Sequence, residues 1–372
     1  MTRQWNNRLI FLAVLLTGLA ARELFFEHHF VWLGPKQHMC AYVANRGDGT
    51  LSVLDLVHLD PIATIVVGSQ PSNVRIRPGT HEIWGLSRPG GYLWIVDAAK
   101  QQVDARIFTG REPSSFNFSP DGRLAYVTVA GTNQLEAIDT QSRRIVRRAS
   151  MGHRPESIFG SNDGKILWIA NRQDATLTIF DVGGWRTRAA IPVAPNPEKI
   201  AVLQDGSKAF VASATDDLLS VVDLQIPALI VNISLGGRAS DLIVKPDGGE
   251  LYIPSAEAHG LLFVNTRTNE VSDYLLLGLS PRTAILAPDG RLMVDDTGAG
   301  RSVPVSLDDR LAAPSVPVGE GPVASAFTPG GEMMLVVNSQ SNDVAVLRGK
   351  DNSLITRIAT GRDPESISVL LF

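Results

Sequence analysis

From Cys40 to the C-terminus, apolar and polar residues alternate in short runs separated by Gly, Pro, Asn and Asp. Alternation with a period of two is the mark of a strand with one face buried, and the separators are turn formers. One stretch reads Ser115-Phe-Asn-Phe-Ser, a Pro120-Asp-Gly turn, then Leu124-Ala-Tyr-Val-Thr. After Gly131-Thr-Asn come Gln134-Leu-Glu-Ala-Ile-Asp and Arg144-Ile-Val-Arg-Arg-Ala. The pattern predicts four short strands in succession. Past residue 21, no segment holds helical periodicity for three turns.

The four-strand pattern recurs. A Gly-x-x-Pro element stands at Gly68/Pro71, Gly110/Pro113, Gly152/Pro155, Gly278/Pro281, Gly319/Pro322 and Gly361/Pro364. Two diverged copies, Ala194/Pro197 and Gly236/Ala239, fill the gap in the series. The first positions run 68, 110, 152, 194, 236, 278, 319 and 361, steps of 42 residues six times and 41 once. Asp55, Asp97, Asp139, Asp181 and Asp223 keep the same step, with Asn265 next. A repeat of this length built from four strands is a propeller blade, whereas HEAT and armadillo units of similar length are helical.

Pro-Asp-Gly recurs at Pro120, Pro246 and Pro288, with Asn162-Asp-Gly and Gln204-Asp-Gly in the same slot. Proline presets the first turn dihedral, aspartate bonds back to the backbone, and glycine takes the positive φ. A calcium site is the competing reading, but these turns lack the further carboxylates a hard cation needs. They are read as hairpin turns, and the Asp55–Asp223 series as formers of strand-end turns.

The N-terminus differs in kind. Arg3 and Arg8 precede an apolar run from Leu9 to Ala21, with small residues at Gly18, Ala20 and Ala21. This predicts a secretory signal over 1–21, with an uncleaved membrane anchor as the alternative. Residues 22–39 read as a tether, and 40–372 as one propeller domain. The expected location is periplasmic or extracellular.

Net charge is −4, from 34 basic and 38 acidic residues, which argues against a broad basic field for nucleic acid. The single cysteine, Cys40, excludes an internal disulfide and a cysteine-based zinc cluster.

The segments Ala41-Tyr-Val-Ala-Asn, Ala125-Tyr-Val-Thr, Leu167-Trp-Ile-Ala-Asn, Ala209-Phe-Val-Ala-Ser and Leu335-Val-Val-Asn-Ser resemble the signature of the YVTN-repeat β-propellers, a WD40-like group. The resemblance spans about residues 40 to 372 and is weakest over Arg291–Gly330, where Leu292-Met-Val-Asp-Asp replaces the signature. It implies an all-β ring of four-stranded antiparallel blades. Proteins similar in repeat include surface-layer and periplasmic propellers, lactonases, and haem- or quinone-linked propellers.

In such a ring, the strand after each Gly-x-x-Pro loop is innermost in its blade. The segment Cys40–Asn45 corresponds to a second strand and Glu365–Phe372 to a first strand. The C-terminal strand is therefore expected to pair beside the N-terminal blade and close eight blades. Seven would leave one unit with an open edge and an uncovered apolar face.

This topology places the Pro-Asp-Gly turns on one face, the turn face. The Gly-x-x-Pro loops and the loops after the signature strands share the other, the loop face, and variable loops on a rigid scaffold are where binding residues concentrate. The expected binding set there is Arg46, Arg111, His153, Arg154, Arg172, Arg238, Arg282 and Arg362, interleaved with carboxylates. Arginine's planar fork suits carboxylate or phosphate, so a small anionic ligand or an acidic protein segment is the partner expected. The competing reading is that these arginines pair with neighbouring carboxylates and solvate the rim.

Three functional classes stay open: a monomeric binding or scaffold propeller, a quinone- or d1-haem-linked propeller with His153 or His259 as axial ligand, and a lactonase-like hydrolase. His153, near Arg154 and Glu156, is the candidate base for hydrolysis. Gly361-Arg-Asp-Pro-Glu-Ser shows the same pattern without histidine, so repeat descent explains the cluster and no catalytic residue is assigned.

Overall fold

A four-stranded antiparallel sheet has two faces to bury and cannot do so alone, so each unit must be covered by its neighbours. The computed structural model describes residues 38–371; the expected signal over 1–21, the expected tether up to residue 37 and Phe372 lie outside them. The described chain is all-β and forms eight blades. In blade 3, Pro113–Phe118, Leu124–Val129, Gln134–Asp139 and Arg144–Ser150 run from the channel outward. Alternation decides the packing: in the strand Met39–Asn45, Cys40, Tyr42 and Ala44 meet blade 2, whereas Met39, Ala41 and Val43 meet blade 8. The core is correspondingly divided into eight apolar clusters, each lying between two consecutive blades.

Closure is by the two chain ends. Blade 1 takes Met39–Asn45, Thr50–Asp55 and Asp60–Val66 from the N-terminal side and Pro364–Leu371 from the C-terminal side. The last strand runs antiparallel to the first, pairing Cys40 with Leu370, Tyr42 with Ser368 and Ala44 with Ser366. It also contacts the innermost strands of blades 2 and 8. The ring therefore has eight blades, not seven.

The repeated motifs have mechanical roles. Asp55 Oδ1 accepts hydrogen bonds from the N–H groups of Val57 and His58, at 2.7 and 3.1 Å. Asp97, Asp223 and Asn265 make the same two bonds in their blades. The signature asparagine ties its own hairpin: Asn45 Nδ2 donates to Thr50 Oγ1 (2.9 Å) and Ser52 Oγ (2.8 Å), and Asn171 does likewise to Thr176 and Thr178. That asparagine explains the glycine of the other motif. A Cβ on Gly361 would stand 2.7 Å from Asn45 Nδ2 and 2.9 Å from Asp48 Oδ2. Gly361→Ala should therefore strain the clasp and lower unfolding stability by about 2 kcal/mol. An unchanged denaturation midpoint would contradict this role.

The diverged units are the irregular ones. Blade 6, where Ala239 replaces the loop proline, has an innermost strand of only Ile243–Val244. In blade 7 the outer strand is split into Leu311–Ala312 and Val316–Pro317. Pro314 falls in the gap, and proline cannot donate to a ladder.

Candidate functional site

The loop face is built from two sets of loops that touch. The backbone N–H of Gly47 donates to Arg362 O at 2.9 Å, and that of Gln173 to His153 O at 3.1 Å, so in blades 1 and 4 the signature-strand loop is docked on a Gly-x-x-Pro loop. A carboxylate three residues after the signature asparagine tightens the joint. Asp48 accepts the Arg362 N–H (2.6 Å) and its Nε (2.5 Å), and Asp174 accepts the His153 N–H and Nδ1, both at 2.7 Å. Both carboxyls are held below the ordinary value, chiefly by the backbone N–H they accept. Glu257 grips Arg238 similarly, accepting its N–H at 3.0 Å and its Nε at 2.6 Å. Arg362, His153 and Arg238 are thus clamp residues of the repeat. Glu156, the carboxylate next to His153 in sequence, is held elsewhere.

Glu156 is buried at the channel mouth and anchors a network across three blades. Arg88 of blade 2 donates two bonds to it, Nη1 to Oε2 and Nη2 to Oε1, each 3.0 Å. Arg154 Nη2 reaches the same carboxylate at 3.3 Å, and Glu112 of blade 3 lies 4.0 Å from Arg88 and 3.5 Å from Arg154. The Glu156 hydrogen bonds raise the pKa of Arg88. Beside this network, Arg172 sits 3.9 Å from Glu198.

The remaining three arginines are placed differently. Among the described residues, the side chains of Arg46, Arg111 and Arg282 form no ion pair. Arg111 occupies a clamp position, but Thr132 stands where blades 1 and 4 carry Asp48 and Asp174. Arg46 opens on a cavity of about 790 Å³ between the loops of blade 1 and the loop that enters blade 2, bounded by Asp48, Ser69, Gln70 and Asp363. Arg282 is the second residue of Pro281–Leu286, the innermost strand of blade 7. Glu365 keeps solvent contact through the mouth, yet the surrounding walls desolvate its carboxyl and push it above the ordinary value. Arg46 and Arg282 oppose that push, and Asp363 adds to it.

His259, the other histidine weighed as an axial ligand, is on this face with Nδ1 2.8 Å from Leu279 O. On the turn face, Asp121 Oδ1 accepts from Ser119 Oγ (2.6 Å) and the Arg123 N–H (3.1 Å), as a turn former does.

Sequence reasoning missed two residues. Arg88 was not singled out from the other charged loop residues, because its partner is 68 positions away. Arg75 lies in the channel toward the turn face, inside a strand that reads as ordinary alternation. Its signal was positional: the corresponding residues of the other blades are Asn117, Phe159, Ala201, Ile243, Ile285, Ala326 and Ser368.

No protein-family model and no curated protein matches the sequence. Solved structures do resemble the fold. The dihydro-heme d1 dehydrogenase NirN, in complex with DHE, superposes with a TM-score of 0.78 at 14% identity, over 88% of this chain and 74% of that one. Kuenenia stuttgartiensis hydrazine synthase gives 0.60 at 19% identity, over 75% of this chain and 96% of that one. A functionally unknown protein from Desulfotomaculum acetoxidans DSM 771 gives 0.62 at 13% identity, over 89% and 98%. At these identities the likeness establishes the fold: the chain is an eight-bladed β-propeller.

Proposed function

We propose that this chain is an exported binding propeller of the YVTN type, whose loop face engages an acidic segment of a partner protein. The observation that carries this reading is the contrast within one surface. Arg88, Arg154, Arg172, Arg238 and Arg362 are all bound to carboxylates, whereas Arg46, Arg111 and Arg282 are not. A guanidinium already held by a carboxylate offers little to a ligand. An unpaired one presents its whole fork, and a rigid ring presents it at low entropic cost. The open cavity beside Arg46 gives an incoming carboxylate room. The basic and then apolar start of the chain supports export.

The test is titration of fluorescently labelled hexaglutamate. Reversing all three charges, as Arg46→Glu, Arg111→Glu and Arg282→Glu together, should weaken binding by more than about tenfold at low salt. Thermal unfolding should hardly change, because none of the three charges is clamped. Wild-type binding should also weaken as salt rises from about 0.05 to about 0.5 M. Equal affinity in the wild-type and triple-variant proteins would refute the reading.

A further inference from the structure

The other end of the channel is chemically unlike the loop face. A cavity of about 550 Å³ opens there between the innermost strands of blades 1 to 4, within the size range of small-molecule sites. Its lining is mixed: Ile76, Phe118, Ile158 and Phe159 form an apolar patch beside Arg75, Asn117 and several serine hydroxyls. Phe159, on that patch, is 39% exposed. Beside this apolar patch the chain puts one cation. Arg75 lies on the wall with its guanidinium carbon 5.8 Å from the Phe116 ring centroid. Among the described residues it has neither a carboxylate partner nor a side-chain hydrogen bond. Its side chain is open to the water of the channel, while the surrounding walls pull its pKa below the usual arginine value.

A guanidinium on a cavity wall is commonly matched by a carboxylate, and one left unmatched offers its whole fork to an anion. Lys245, on the wall of the adjoining cavity, shows the ordinary solution, with Asp247 at 3.0 Å. Arg75 departs from it. One polar neighbour is also unengaged: the Asn117 amide lines the same cavity and makes no hydrogen bond among the described residues. Gly160 gives it space, since a Cβ there would stand 2.7 Å from Asn117 Nδ2.

We propose that this end of the channel is a second, separate binding site, for a small carboxylate with an apolar body. Arg75 takes the carboxylate, the Asn117 amide donates a further hydrogen bond, and Phe118, Ile158 and Phe159 cover the body. The guanidinium gains the counter-charge the protein withholds, and the exposed phenyl ring gains cover from water. Nothing in this site depends on the loop face.

The probes are 2-naphthoate and its uncharged analogue 2-naphthamide, titrated calorimetrically against the full chain. Naphthoate should bind with one-to-one stoichiometry, at least about tenfold tighter than naphthamide, since a charge-assisted bidentate contact is worth that much. In Arg75→Gln the two should bind alike. Phe159→Ala keeps the charge and should weaken both probes together, so the site stays testable if Arg75→Gln folds poorly. Inorganic phosphate should bind more weakly than naphthoate. Absence of naphthoate binding, undiminished preference for naphthoate in Arg75→Gln, or phosphate binding as tightly as naphthoate would each overturn the proposal.

Discussion

A chain truncated after Glu365 is expected to aggregate instead of folding to a soluble monomer. The missing segment is most of the innermost strand of blade 1, including Leu370, which packs with Cys40, Tyr42 and Trp94 in the cluster between blades 1 and 2. Ile367 and Val369 pack on the cluster between blades 8 and 1. One deletion therefore opens two of the eight interfaces and bares the backbone edge of Met39–Asn45 toward the channel. Exposing even some 200 Å² of apolar surface costs roughly 5 kcal/mol. That is comparable to the whole net stability of many domains. An open strand edge beside bare apolar side chains also templates association. Size-exclusion chromatography and thermal unfolding decide it: a soluble truncate that melts cooperatively would show that the terminal strand is not needed for closure.

The second large effect comes from one buried acid. Asp295 lies in the second strand of blade 7 and is fully inaccessible to solvent. The corresponding residues elsewhere are Ala44, Leu86, Thr128, Ala170, Ala212, Pro254 and Val337, so a carboxyl has entered an otherwise nearly apolar slot. Ser325 of blade 8 donates its hydroxyl to Oδ2. Oδ1 has no hydrogen-bond partner, and the nearby Ser302 hydroxyl favours the charge without making a full bond. Burial pushes the pKa from the ordinary 3.8 up to about 6, against the two serines.

Because the folded value lies above the unfolded one, the protonated acid favours folding. That contribution is complete below about pH 4 and is lost as pH rises through about 6. The gap corresponds to about 3 kcal/mol at neutral pH. The Asp295→Asn substitution keeps the shape of the side chain, still accepts from Ser325 and never ionises. The variant should match wild type near pH 4 and exceed it by about 3 kcal/mol at pH 7. Denaturant titrations across that range check the curve; a difference that does not depend on pH would contradict it.

Strand order, blade number and closure were legible because the repeat states them eight times and the two ends are complementary fragments of one unit. The turn roles of Asp55 and Asp121 were equally legible, since they act within a few residues of themselves. The site was legible only as a surface. Local sequence places Arg111 and Arg154 in the same motif, yet their fates differ. Arg154 meets Glu112 and Glu156 from two blades, and Arg111 meets Thr132 where a carboxylate would have clamped it. Pairing of this kind is decided by which blades stand side by side and how far a side chain reaches over the mouth. Arg88 spans from blade 2 to blade 4, and no local pattern announces that. Arg75 was hidden for another reason. A cation in an amphipathic strand usually faces solvent, and only the narrowing of eight strands around one axis turns that solvent into a walled cavity.

The loop face, its unpaired arginines and the channel all exist only if the last strand lies beside the first. Leu370→Cys tests this in one step, because the chain has a single native thiol and Cys40 is the partner of position 370 across the ladder. Antiparallel partners stand about 4.5–5.5 Å apart at Cα, within the span a disulfide bridges. Burial pushes the folded Cys40 thiol up to about 11, with Asp55 adding to the effect, so the bond should be formed during oxidative refolding. The account predicts a monomer without free thiols that unfolds at higher temperature than its reduced form. Two titratable thiols per chain, or disulfide-linked dimers, would contradict it.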